Sequence, residues 1–270
     1  MVNISELFSL KGEVALVTGG NSGIGKAMAE GLASAGADIV IAARDEAKTA
    51  QVVKELQDTY KVKAFGVKMD VASETSVQAG VKQALGKFGK ITILINNAGT
   101  NIRKLPQDYT VEEWDAIMNV NLRGAFLCSK AVYPSMKASG GGRIINTGSM
   151  TSLLGNPKVL VYACSKMGIL SLTYSLALAW VNDNIRVNAI LPGWIETPLT
   201  KNVRVAFPNV DRFIRERVPM GRWGKPADFM GAVIFLASHA SDFITAEYIR
   251  VDGGFAQGTN NPEPYNQYQA

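Results

Sequence analysis

The most chemically suggestive residues in the chain are a tyrosine and a lysine four apart, in Tyr162-Ala163-Cys164-Ser165-Lys166. On a helix that spacing sets both side chains on one face, one turn apart. A phenol in water loses its proton at about pH 10. A fixed ammonium one turn away favours the phenolate, so the pair could exchange a proton with a substrate oxygen near neutral pH. Ser149 lies thirteen residues upstream, at the end of Arg143-Ile144-Ile145-Asn146-Thr147-Gly148-Ser149. That segment reads as a short apolar strand running into a small-residue loop, where a hydroxyl could polarise the carbonyl that Tyr162 protonates. Tyr–Lys pairs at this spacing also occur on ordinary solvated helix faces, so the elements that position the pair decide its meaning.

Val14-Ala15-Leu16-Val17 is a continuous apolar run, suited to a strand covered on both faces of a parallel sheet. Thr18-Gly19-Gly20-Asn21-Ser22-Gly23-Ile24-Gly25 follows and opens a small-residue helix over about 25–35. Strand, glycine turn and helix make a dinucleotide-binding opening: the glycines permit the tight turn, and the helix N-terminus attracts a pyrophosphate. The spacing is G-x-x-x-G-x-G, on Gly19, Gly23 and Gly25. Further strands are expected near 38–42, 63–68, 91–95, 143–147, 185–191 and 247–251. They alternate with helices near 46–60, 74–88, 111–138, 162–181 and 226–238, with Ser73 as the cap of the second of these. Seven strands alternating with helices predict an α/β protein. The fold is a single-domain Rossmann fold, a doubly wound seven-stranded parallel sheet with helices on both faces, spanning 1–255.

Residues from about 194 to 225 break the alternation and read as a helical lid over the substrate. Lys201, Arg204, Arg212, Arg215 and Arg217 outnumber Asp211 and Glu216 there; an anionic substrate and a solvated helix face account for this equally. Residues 256–270, rich in Asn, Gln, Pro and Gly, read as a polar tail or a subunit-contact strap.

A chain of 270 residues with 47% apolar content can bury one large core, and 19% charged residues argue against disorder. The net charge of +5 would suit nucleic acid. However, Lys and Arg are scattered, with no run longer than Arg103-Lys104, so no nucleic-acid partner is expected. His239 is the only histidine, which argues against a His-based triad or a His-rich metal site, and no metal is expected. Cys128 and Cys164 sit in apolar helical contexts and read as buried free thiols of a reducing, cytoplasmic compartment. Residues 1–12 lack the pattern of a signal peptide. The longest apolar-leaning run, 167–182, falls short of the roughly 20 residues of a membrane span and reads as a buried helix, so no membrane association is expected.

Ser149, Tyr162-x-x-x-Lys166 and the glycine-rich opening, in order and at these spacings over about 10–255, resemble the short-chain dehydrogenases/reductases. Residues 97–104 and Met220-Gly221-Arg222-Trp223-Gly224-Lys225-Pro226 are similar to the gluconate- and sugar-acid-oxidising members. The resemblance implies a catalytic tetrad in which Asn121 joins Ser149, Tyr162 and Lys166 and helps hold a water in a relay ending at the lysine. It implies a nucleotide along Gly19, Asn21, Ser22, Gly23 and Ile24, with the adenine amino group on Asp70, next to Val71. Asp70 serves equally well as a helix cap. The ribose is approached by the backbone of Asn96-Asn97-Ala98-Gly99, with Asn97 bonding across the sheet, and Lys166 holds the nicotinamide ribose beside Tyr162. Pro192-Gly193-Trp194-Ile195-Glu196-Thr197 covers the nicotinamide, with Ile195 and Thr197 at its carboxamide.

The family's acid position after the second strand holds Ala43, followed by Arg44. A carboxylate there would repel a 2′-phosphate, whereas a guanidinium can pair with one. NADP(H) is therefore favoured and NAD(H) is left open, since Ser22 stands where many NADP-using relatives carry a second base; Arg44 could also be a solvated residue at a helix start. Substrate contacts are expected from Arg103, Ser149 and Trp194; Arg103-Lys104 either holds an anionic group or is a solvated loop pair. A homodimer or homotetramer is implied, through the helices at 111–138 and 162–181. The expected reaction interconverts a secondary alcohol and a ketone by hydride transfer, with Tyr162 as general acid/base and a sugar or sugar acid as the small-molecule substrate. A 3-oxoacyl-thioester reductase is the alternative enzyme. A non-catalytic NADP(H)-binding regulator is the alternative of another class, disfavoured because all four tetrad positions are filled.

Overall fold

The computed structural model describes residues 3–206 and 208–258, apart from the side chains of 202 and 204–206. The expected tail beyond 258 and the charge of Arg204 thus lie outside the described residues. The strands are β1 (Val14–Thr18), β2 (Asp38–Ala43), β3 (Ala64–Lys68), β4 (Ile93–Asn96), β5 (Gly142–Thr147), β6 (Ile185–Pro192) and β7 (Tyr248–Val251). They form one sheet in the order β3-β2-β1-β4-β5-β6-β7, with every neighbouring pair parallel. Val17 pairs with Ile41 of β2 on one side and Ile95 of β4 on the other. The strand order therefore reverses at β1, and in open sheets the crevice beyond the carboxyl ends at such a point receives ligands.

The helices are α1 (Ile4–Leu7), α2 (Gly23–Ser34), α3 (Glu46–Tyr60), α4 (Glu74–Phe88), α5 (Val111–Met118), α6 (Gly124–Ala138), α7 (Leu160–Trp180), α8 (Pro198–Ala206), α9 (Val210–Arg217) and α10 (Met230–Ala237). Successive strand residues point to opposite faces, and each face has its own helical cover. Ala15 and Val17 pack with Met28 and Leu32 of α2, Leu56 of α3 and Val233 of α10. Val14 and Leu16 pack with Val81 of α4, Val132 of α6 and Leu176 of α7. This double cover explains why the strands read as unbroken apolar runs. Ser73 caps α4 as expected, its side chain accepting from the Ser76 N–H at 3.3 Å. A polar network ties β4 and β5 to α6 and α7 on one face of the sheet. Asn96 donates to Asn146 Oδ1 at 2.8 Å and to Ser129 at 3.0 Å, and Asn146 donates to Thr173 at 3.0 Å.

Three expectations need correction. The helix at 111–138 is not continuous: a π turn over Asn119–Arg123 separates α5 from α6. Such turns are rare and cluster at functional sites. Second, Cys128 is buried but Cys164 is exposed; α7 is apolar on nearly all sides, and Cys164 lies on the side away from the sheet while its neighbours Ser165 and Lys166 are buried. Third, the apolar stretch Leu160–Asp183, at 24 residues, is long enough by length and composition to cross a membrane. In this fold it lies between β5 and β6, packs on the sheet through Leu176 and Ala177, and holds Lys166 at 4% exposure.

Candidate active site

The first turn after β1 is shaped by glycines at positive φ, Gly19 at 62° and Gly23 at 53°, where a side chain would be strained. A methyl group on Gly25 would collide with Asn97 Nδ2 and the Gly19 carbonyl, so α2 can start this close to the β4 loop only with glycine. Asn97 Nδ2 donates to the Thr18 and Gly19 carbonyls at 3.1 and 3.2 Å, the cross-sheet bonding expected of it. Thr18 Oγ1 accepts from the Asn97 and Ala98 N–H groups at 3.0 and 3.1 Å. The ends of β1 and β4 are thus pinned together and frame one side of the crevice.

A cleft of about 260 Å³ opens there, lined by Gly19, Ser22, Gly23, Ile24, Asn97, Ala98 and Gly99 on one side and by Pro192, Gly193, Ile195 and Thr197 on the other. Ser149, Tyr162 and Lys166 line it as well. Four other residues expected at the cofactor are not in this lining. Asn21 is buried and directs its amide to Thr49 Oγ1 at 3.2 Å, tying the glycine loop to α3. Arg44 is exposed just beyond β2. Asp70 accepts from the Ala72 N–H at 3.0 Å, and Val71 is buried.

Lys166 Nζ donates to the Thr147 carbonyl at 2.7 Å and lies 5.7 Å from the centre of the Tyr162 ring. Burial draws its pKa down to about 8 from the ordinary 10.5. Ser149 is held against α7 by relays: its N–H donates to Ser152 Oγ at 3.2 Å, and that hydroxyl donates to the Lys166 carbonyl at 2.6 Å. Ser149 lines the cleft beside Tyr162, and its hydroxyl accepts from the Thr151 N–H at 3.1 Å. Asn121, 2% exposed within the π turn, accepts from the Thr100 N–H at 2.8 Å and donates to the Thr100 carbonyl at 2.9 Å and Ser165 Oγ at 3.0 Å. A methyl on Gly99 would stand 3.5 Å from Asn121 Oδ1 and 3.7 Å from Lys166 Nζ, so Asn121, although not in the lining, lies beside the part of the cleft that Lys166 lines with Ser149 and Tyr162.

The expectation that Lys166 pulls the Tyr162 phenol downward is not met. Burial raises the Tyr162 pKa, opposed by the Ser149 hydrogen bond and then by the Arg103 charge. Lys166 is not among the groups that draw the phenol down, and the cost of holding a phenolate away from water outweighs the two that do.

A second cavity of about 440 Å³ continues past Tyr162 and Ser149. Arg103 and Trp194 line it, as expected of substrate residues. Lys104 does not: it pairs with Glu113, the acid of the Thr110 capping box that starts α5. Asn101, Thr151, Arg217 and Phe255 also line this cavity and escaped the sequence reading. The only signal for them was the charge excess of the segment between β6 and α10 and the aromatic that follows Asp252-Gly253-Gly254.

The first cleft fits a dinucleotide. Its glycines leave no room for side chains where a backbone must approach a phosphate, and Thr147 Oγ1 on its wall is buried without a partner. Among the described residues no group of three or more His, Cys, Asp or Glu could hold a metal ion.

The chain belongs to the short-chain dehydrogenase/reductase family, NAD(P)-dependent oxidoreductases that act on CH–OH groups. The matching family model, described as enoyl-(acyl carrier protein) reductase, covers residues 19–256. Among its relatives, 2-dehydro-3-deoxy-D-gluconate 5-dehydrogenase of Escherichia coli (strain K12) is 40% identical over 258 residues, 93% of this chain and 98% of that protein. The 3-oxoacyl-[acyl-carrier-protein] reductase FabG of Aquifex aeolicus (strain VF5) is 37% identical over 245 residues, 91% of this chain and 98% of that protein. The crystal structure of a gluconate 5-dehydrogenase from Burkholderia cenocepacia J2315 in complex with NADP and tartrate matches with a TM-score of 0.89 at 38% identity, over 94% of this chain and 98% of that one.

Proposed function

We propose that the protein is an NADP(H)-dependent dehydrogenase/reductase that interconverts a secondary alcohol and a ketone on a sugar acid. The observation that carries this reading is the junction of the two cavities: Tyr162 and Ser149 line both, and among the described residues Arg103 and Arg217 are the only charged ones lining the second. Guanidinium groups match a carboxylate in charge and shape. The sugar-acid activity of the relatives supports the same substrate class.

The glycine cradle would hold NADPH, with Arg44 at its 2′-phosphate and Asp70 at its adenine, and the bound cofactor would supply the hydride. Tyr162 gives its phenolic proton to the carbonyl oxygen in reduction and, as phenolate, accepts the alcohol proton in oxidation. The Ser149 hydroxyl donates to that same oxygen, a contact typically worth about 10²–10³ in rate. Lys166 keeps a cation behind the phenol and binds the nicotinamide ribose. Asn121 fixes the π turn beside Lys166 and holds the water through which that lysine exchanges protons. Arg103 anchors the substrate carboxylate, and α8 and α9 close over it as a lid on a single domain spanning 1–255. Exposed Phe126, Met167 and Leu178 on α6 and α7 suit a contact between copies, in a homodimer or homotetramer. Free thiols fit a cytoplasmic setting.

The test is an initial-rate panel with NADP⁺ or NADPH against sugar acids, neutral sugars, simple ketones and a 3-oxoacyl thioester. Turnover concentrated on sugar acids is expected. Turnover of the thioester alone would replace this reading with the acyl-reductase one.

A further inference from the structure

We infer that Arg217 is a substrate-recognition residue whose guanidinium, together with Arg103, selects substrates bearing a carboxylate. This rests on the sugar-acid reading above and adds the residue that would enforce it. Arg217 is the last residue of α9 and lines the same cavity as Tyr162 and Ser149. Its Nη1 donates to the Phe255 carbonyl at 3.1 Å and to the Gly258 carbonyl. Its guanidinium carbon stands 4.6 Å from the centre of the Phe255 ring, within cation–π range. Phe255 meets Trp194 edge-on at 6.4 Å, and Trp194 meets Trp223 at 5.7 Å and Phe213 at 6.2 Å in the same manner. An aromatic wall and two backbone carbonyls therefore fix the direction of the guanidinium before any substrate arrives.

A guanidinium carries five N–H donors. The two carbonyls engage Nη1, and the donors on Nε and Nη2 have no partner among the described residues. Among the described residues the cavity's lining presents no carboxylate, and Arg103 is the only other charged residue there. A half-buried, oriented cation with donors to spare is a preorganised seat for a carboxylate.

The competing role for Arg217 is that of a latch between α9 and the segment after β7, with no part in recognition. Arg217→Gln and Arg217→Lys separate the two. The probes are D-gluconate and sorbitol, which differ in having a carboxylate or a hydroxymethyl at one end. Arg217→Gln should lower kcat/KM with NADP⁺ on D-gluconate by about 10- to 150-fold, the value of a charged hydrogen bond, and change sorbitol turnover by no more than a few fold. Arg217→Lys, which keeps the charge but loses the planar fork, should fall between. A readout that needs no turnover is thermal stabilisation of the NADPH complex: D-gluconate should raise Tm for wild type and not for Arg217→Gln, and sorbitol should do so for neither.

Equal losses on both probes would make Arg217 a latch and overturn the inference, as would an absence of gluconate stabilisation in wild type. If Arg217→Gln no longer binds NADPH, Arg217→Lys decides by the same criterion of a gluconate-selective or an equal loss. A wild type that prefers gluconate, paired with a variant that keeps the preference, overturns the role of Arg217 alone. A wild type indifferent to the carboxylate overturns the sugar-acid reading itself.

Discussion

Lys166 presents a conflict between stability and activity that can be measured. Its ammonium is 4% exposed, and burial lowers its pKa from 10.5 to about 8. A drop of that size corresponds to a cost of about 3 kcal/mol for keeping the charged form in the fold at neutral pH. The hydrogen bond to the Thr147 carbonyl returns about 1–2 kcal/mol of this. Lys166→Met removes the charge and the bond together and fills the space with a flexible apolar chain. The cofactor-free variant should therefore be more stable than wild type by about 1–2 kcal/mol, or about 2–6 °C in Tm for a chain of this size, while losing its activity. The pH dependence is the sharper signature. Below pH 8 the lysine is protonated in both folded and unfolded chains, and the full penalty applies. Between about pH 8 and 10.5 the unfolded chain binds more protons than the folded one, so wild type gains stability as pH rises. The advantage of Lys166→Met in calorimetry should be largest at pH 7 and close towards pH 10. A variant less stable than wild type at pH 7, with a difference that does not vary with pH, would refute this.

Three further outcomes follow from the site. Tyr162 has its pKa raised by burial, so alcohol oxidation, which needs the phenolate, should rise with pH above neutrality while ketone reduction, which needs the phenol, stays level or falls; pH profiles of kcat/KM in both directions check this. Ser149→Ala should lower kcat by about 10²–10³ with NADPH binding intact, read by cofactor fluorescence and steady-state rates. Arg44→Asp should weaken NADPH binding by about 10-fold or more and leave NADH nearly unchanged, as seen by titrating the two cofactors side by side.

Much of the architecture was legible because each strand is covered on both faces, so that Val14–Thr18 and its neighbours read as short apolar runs punctuated by glycine turns. Three residues of the candidate site were legible because Ser149, Tyr162 and Lys166 lie within eighteen consecutive positions, set by one strand end and one helix. What escaped depends on tertiary contact. The segment 111–138 has helical periodicity throughout, and its π turn coincides with Asn121 bonding to Thr100 and Ser165, partners 21 and 44 residues away. Arg103 and Lys104 are adjacent in sequence, yet only the first faces the cavity, because Glu113 holds the second. The exposure of Cys164 could not be read from a helix that is apolar on nearly every side. Arg217 and Phe255 meet across 38 residues once α9 packs against the segment after β7, and no local pattern announces that contact.

The measurement closest to the central claim compares wild type with Tyr162→Phe for NADPH binding and for NADP⁺-linked oxidation of D-gluconate in the same preparation. The account predicts equal NADPH affinity and a loss of nearly all turnover in the variant, since only the phenolic hydroxyl has been removed. Turnover by Tyr162→Phe close to that of wild type would contradict it.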